Sequence, residues 1–158
     1  MTAFLLSVHV LAAILTVGPI AIASSMFPPA LAAAEAKDDP RKPAVAAVLH
    51  RITRVYAVVG ILVPVFGLAT AAGLGVLTDA WLIASIVLTS AAATILITRI
   101  LPGQRFALAA IDANPSAEGT SSRARRRLAM DTGIFNLLWA IVVVLMVYRP
   151  GSTTGVGP

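Results

Sequence analysis

Val55–Thr78 reads VYAVVGILVPVFGLATAAGLGVLT and contains no charged side chain. A bilayer core about 30 Å thick is crossed by roughly 20 apolar residues in a helix, so this stretch is long enough to span one. Charge is absent again between Asp79 and Arg99 and from Thr132 to Tyr148. From Met1 up to Glu35, His9 is the only titratable side chain. The chain has 158 residues, 58% hydrophobic and 12% charged, against about 25% charged in soluble domains. These observations predict an all-α fold: a four-helix transmembrane bundle forming a single domain over residues 1–151, with a flexible tail at 152–158.

The expected helices run over about 2–26, 43–76, 80–101 and 128–148. Pro28–Pro29 is expected to end the first, because proline lacks the backbone N–H and clashes with the preceding turn. Ala30–Lys37 then resumes a short helix before a turn at Asp38–Pro40. Pro102–Gly103 is expected to end the third helix and Pro150–Gly151 the fourth. Pro64 is expected to kink the second. Asn114–Ser122 reads as a flexible stretch. Met1–Ser7 carries no Lys or Arg, unlike the basic start of a signal peptide, so the first helix is expected to be retained.

Basic residues are distributed unevenly between the loops. Lys37, Arg41, Lys42, Arg51 and Arg54 lie between the first two apolar runs or on their flanks. Arg99, Arg105, Arg123, Arg125, Arg126 and Arg127 lie between the last two, and only Arg149 lies at the opposite end. The positive-inside rule places such loops in the cytoplasm. The expected topology has two basic cytoplasmic loops, with the N-terminus and C-terminus both outside, in the bacterial inner (cell) membrane. Trp81 and Tyr148 then fall at the outer interface, and Phe27 and Tyr56 near the inner one.

Gly67, Ala71 and Gly75 have the small-xxx-small spacing that lets helices approach closely in lipid. They are expected to pack the second helix on the third, whose Ala91–Ala93 supplies the opposing surface. The absence of Cys excludes disulfides, thiolate metal sites, Cys nucleophiles and covalent haem attachment. No Ser/His/Asp set, metal-ligand spacing or phosphate loop is present, so no enzyme activity and no cofactor are expected, and no nucleic acid is expected as a partner.

Ionisable groups at membrane depth are rare and often functional, which singles out His9. It reads either as a haem, metal or proton-handling residue or as a histidine bonded to a neighbouring helix. His50 lies near the other end, too far away to share one haem with His9 within the chain. Asp131 opens the fourth helix and is expected to form an ion pair with Arg54, or failing that Arg51, holding that helix to the second. Asn136 and Trp139 lie mid-membrane as packing or partner-contact residues. Arg123, Arg125, Arg126 and Arg127 are expected to meet anionic lipid head groups or an acidic protein surface.

LLSVHVLAAILTVGPIA, with His9, and FNLLWAIVVVLMVYRPG, with Met146, Arg149, Pro150 and Gly151, resemble the first and last helices of a predicted four-helix integral membrane family of unknown function. That family is distantly similar to the copper-resistance D-type membrane proteins. The resemblance implies a four-helix bundle and points to His9, but it carries no activity. The several His and Met ligands expected of copper-handling relatives are lacking here.

Three functions compete. The first is a non-catalytic accessory or assembly subunit of a larger inner-membrane complex, such as a respiratory one, with other integral membrane subunits and membrane lipids as partners. The second is an oligomeric small transporter or ion-handling protein. The third is a haem- or quinone-associated redox protein using His9.

Overall fold

A computed structural model of the chain describes residues 1–35, 41–113 and 118–151. The described residues form helices and turns only. Helix α1 is Thr2–Glu35, α2 is Lys42–Val59 and α3 is Leu62–Leu74. Helix α4 is Ala80–Ile95, which runs through a π turn at Leu96–Ile100 into α5, Leu101–Ala113. Helix α6 is Glu118–Tyr148. Among the described residues, four stretches are long and apolar enough to cross a membrane: Thr2–Glu35, Lys42–Leu74, Ala80–Ala113 and Ser122–Tyr148. They are spans 1 to 4 below, and they make this a multi-pass membrane protein.

Two expected helix ends are not ends. Span 1 continues through Pro28–Pro29 to Glu35. Phe27 just before those prolines and Leu31 and Ala34 beyond them are buried, and Phe27 and Leu31 join Ala23, Ala46, Leu49 and Leu128 in one core cluster. Burial against spans 2 and 4 outweighs the local cost of the prolines. Span 3 likewise continues past Pro102–Gly103. There the π turn places the Leu101 N–H on the Leu96 carbonyl, a one-residue widening directly ahead of the proline. A π bulge of this kind accommodates the clash that proline makes with the preceding turn.

Span 2 is interrupted one turn before Pro64, where that proline cannot bond the carbonyl four residues back. The break lies at Gly60–Ile61, where the Val63 N–H bonds the Gly60 carbonyl at 3.1 Å. Pro64 therefore sits in the first turn of α3, where its missing N–H is tolerated. The end of α3 is closed by Gly75 at φ 71. Gly75 N–H bonds the Ala72 carbonyl and Val76 N–H the Ala71 carbonyl, each at 3.2 Å, which is the Schellman arrangement. Gly75 is thus a helix stop and not a packing residue.

Helix α6 begins ten residues before the expected Leu128, so the arginine cluster lies on a helix. The expected flexible stretch is helical from Glu118 onward, and the rest of it lies outside the described residues. So do the turn expected at Asp38–Pro40 and the tail at 152–158.

The neighbour relations also differ from expectation. Span 2 packs mainly along span 1, and span 3 along span 4. Gly67 meets span 1, not span 3: a Cβ there would lie 2.8 Å from Cε1 of His9. Of Ala91, Ala92 and Ala93 in span 3, only Ala92 is buried, in a cluster with Ile20, Leu96, Ile100 and Phe135, so it faces spans 1 and 4. Spans 2 and 3 meet at their short turn, where Ala71 packs with Trp81 and Leu82.

Candidate functional site: the polar contacts between spans

Hydroxyl side chains in helices commonly donate to the carbonyl one turn back. Thr16, Ser24, Thr53, Thr70, Ser85 and Thr94 all do so here, and so satisfy themselves within their own helix. The side chains that reach another span are different, and they join neighbouring spans in order around the bundle.

His9 joins span 1 to span 2. Its Nδ1 donates to the Val63 carbonyl at 2.9 Å, and its ring lies against Gly67. Gly67 is needed because any side chain there would occupy the imidazole's place. His50 joins span 2 to span 3, donating from Nδ1 to Oε1 of the buried Gln104 at 3.0 Å. His50 lies 17 residues before Gly67 on span 2, about 25 Å of helix rise, so the two histidines serve opposite ends of the bundle.

Asp131 joins span 4 to span 3. Its partner is Arg99, at 3.3 Å, in place of the expected Arg54 or Arg51, both of which are exposed. The correction follows from the helix order: span 4 lies along span 3, and the π turn carries Arg99 beside it. Asp131 is nearly buried whereas the Arg99 side chain is 62% exposed, so water weakens the pair and its contribution is modest. At the other end of the same pair of spans, the Arg149 guanidinium sits 5.5 Å from the Trp81 ring centroid. The Trp81 N–H donates to Asp79 Oδ2 at 2.9 Å. Trp81 is buried, at 6% exposure, where it packs with Ala71 and Leu82. No sequence spacing announces the Arg149–Trp81 contact.

Asn136 closes the ring from span 4 to span 1, donating from Nδ2 to Ser25 Oγ at 3.1 Å. Glu35 and Arg125 form a second link between the same spans, which separates Arg125 from the other three arginines of its cluster.

Among the described residues, four buried polar atoms have no partner: Gln104 Nε2, Thr132 Oγ1, Asn136 Oδ1 and Trp139 Nε1. Thr132, Asn136 and Trp139 follow one another at helical spacing on the inward face of span 4. Trp139 packs edge-on to Phe135, with ring centroids 6.4 Å apart, and its indole nitrogen points into the bundle. No group of three or more His, Cys, Asp or Glu that could hold a metal ion occurs among the described residues.

The His9–Gly67 contact carries a direct prediction. An interhelical hydrogen bond in lipid contributes about 0.6 kcal/mol on average, and under about 2 at most. His9→Ala should destabilise by that amount. Gly67→Ala should destabilise too, by pushing the ring off Val63, but should cost far less in a His9→Ala background. Reversible unfolding in mixed micelles measures this cycle, and strictly additive losses would show that the two residues do not act together.

The chain matches no protein-family model, no curated protein and no solved structure.

Proposed function

We propose that the chain is a non-catalytic integral membrane subunit, an accessory or assembly component of a larger complex in the bacterial inner membrane, for which a respiratory complex is one candidate. One observation carries this reading: the side chains best suited to chemistry are engaged in holding spans together. His9, His50, Asp131 and Asn136 each bond a different neighbouring span, so together they tie span 1 to 2, 2 to 3, 3 to 4 and 4 to 1. A self-tied bundle of this kind suits a scaffold. The proposed orientation puts the basic turns in the cytoplasm, on the strength of the charge asymmetry. The likeness of the first and last spans to a four-helix membrane family without assigned activity is consistent with it.

The test is isolation of the tagged chain from native membranes in mild detergent, followed by native electrophoresis and mass spectrometry. Comigration with a larger membrane complex, and loss of that complex when the chain is deleted, are the expected results. Solute flux or redox turnover by the chain alone in liposomes would overturn the reading.

A second reading, an oligomeric small transporter or ion-handling protein, draws on the inward-facing unpaired atoms of Gln104, Thr132, Asn136 and Trp139. Unpaired polar atoms in a dry interior are costly, and internal water would satisfy them. Flux in liposomes that Asn136→Leu abolishes is the result that would favour it.

A further inference from the structure

Span 4 carries its arginines on two faces. Arg125 turns inward to Glu35. Arg123, Arg126 and Arg127 are exposed, and no carboxylate among the described residues pairs with them. With Met130 they line a hollow of about 350 Å³. The four positions fall at i, i+3, i+4 and i+7, which is one helical stripe. The same stripe continues towards the far end of span 4 through exposed apolar side chains: Met130, Ile134, Leu137, Ile141 and Val144.

Arg123 to Arg127 covers about 6 Å of rise, close to the depth of one headgroup layer, taken as half the difference between a bilayer about 40–45 Å thick and its 30 Å core. The stripe is therefore cationic at headgroup depth and apolar along the hydrocarbon, which is the pattern of a single amphipathic anion lying along the helix. A free phosphate would use only the arginines, and an acidic protein surface would leave the apolar track without a role.

We propose that this stripe is a binding site for one anionic phospholipid. Its phosphate sits among Arg123, Arg126 and Arg127, and an acyl chain lies over Met130 and along Ile134 and Leu137. This site is separate from the subunit reading above and stands whether or not a larger complex exists.

Native mass spectrometry of the full chain in detergent tests it, with phosphatidylglycerol, phosphatidylcholine and inorganic phosphate as probes. One phosphatidylglycerol per chain should be retained in preference to phosphatidylcholine. Each basic residue at an anionic head group contributes roughly a factor of five, so the triple variant Arg123→Gln, Arg126→Gln, Arg127→Gln should lose about a hundredfold in retention. Arg51→Gln with Arg54→Gln removes charge elsewhere and should retain the lipid. Met130→Glu keeps all three arginines but places a carboxylate in the hollow, and it too should release the lipid, which guards against misfolding of the triple variant. Equal retention of the two lipids would overturn the site. So would undiminished phosphatidylglycerol in either the triple variant or Met130→Glu, or displacement of the lipid by millimolar inorganic phosphate.

Discussion

Replacing Ala92 with leucine is expected to separate span 3 from spans 1 and 4. Ala92 is fully buried, and Ile20, Leu96, Ile100 and Phe135 surround it. Helices in lipid associate mainly through close van der Waals packing, because the lipid tails are as apolar as the side chains. A leucine at this contact has nowhere to go except by moving a backbone. Overpacking of a well-filled interior costs about 1–3 kcal/mol, and the upper end applies where three helices meet. The neighbours provide the control: Ala91 and Ala93 are exposed, so leucine at either should change stability by under about 0.5 kcal/mol. Unfolding in mixed micelles should rank Ala92→Leu far below the other two. Equal behaviour of the three variants would mean that span 3 is rotated from the placement described here.

Phe27→Ala should be the most damaging truncation. Phe27 has no exposed surface and packs with Ala23, Leu31, Ala46, Leu49 and Leu128. Phe→Ala in a core costs about 3–5 kcal/mol. The lower part of that range applies because lipid, unlike water, solvates the apolar surface released on unfolding. The loss should also be local. Phe27 anchors span 1 immediately before Pro28–Pro29, and without it the turns from Pro28 to Glu35 lose the packing that outweighs the prolines. Hydrogen exchange should rise selectively over Leu31–Glu35, whereas Met26→Ala, at a half-exposed position, should leave it unchanged.

The existence of four spans was legible from charge-free runs such as Val55–Thr78, because the length of an apolar helix is fixed by bilayer thickness. Their ends were not. Pro28–Pro29 and Pro102–Gly103 are strong local stop signals, yet a tertiary contact overrides the first and a π turn absorbs the second. The arginine-rich extension of span 4 was missed because only apolar residues mark a span, and a helix that leaves the hydrocarbon gives no such mark.

Among the site residues, His9 and Asn136 could be singled out as polar groups at membrane depth, and Asp131 as the carboxylate that opens the fourth helix. Their partners could not, since a single sequence does not record which helix lies beside which. Asp131 found Arg99 because span 3, not span 2, runs along span 4. Small-xxx-small spacing had the same limit. It marked Gly67 as a close contact, but the residue that fills the space is His9 of span 1, and Gly75 is small in order to end a helix.

The central claim of the proposed function is a bundle that crosses the bilayer with its basic turns in the cytoplasm, and the absence of Cys from the chain makes that sidedness directly measurable. Single cysteines at Thr78 and Ala113, in the short turn between spans 2 and 3 and at the arginine-rich end of span 3, would be treated with a membrane-impermeant maleimide in whole cells expressing the chain. Thr78→Cys should label from outside, and Ala113→Cys only after the membrane is permeabilised. Labelling of both in intact cells, or of Ala113→Cys alone, would contradict a bundle that crosses the bilayer with its basic turns inside.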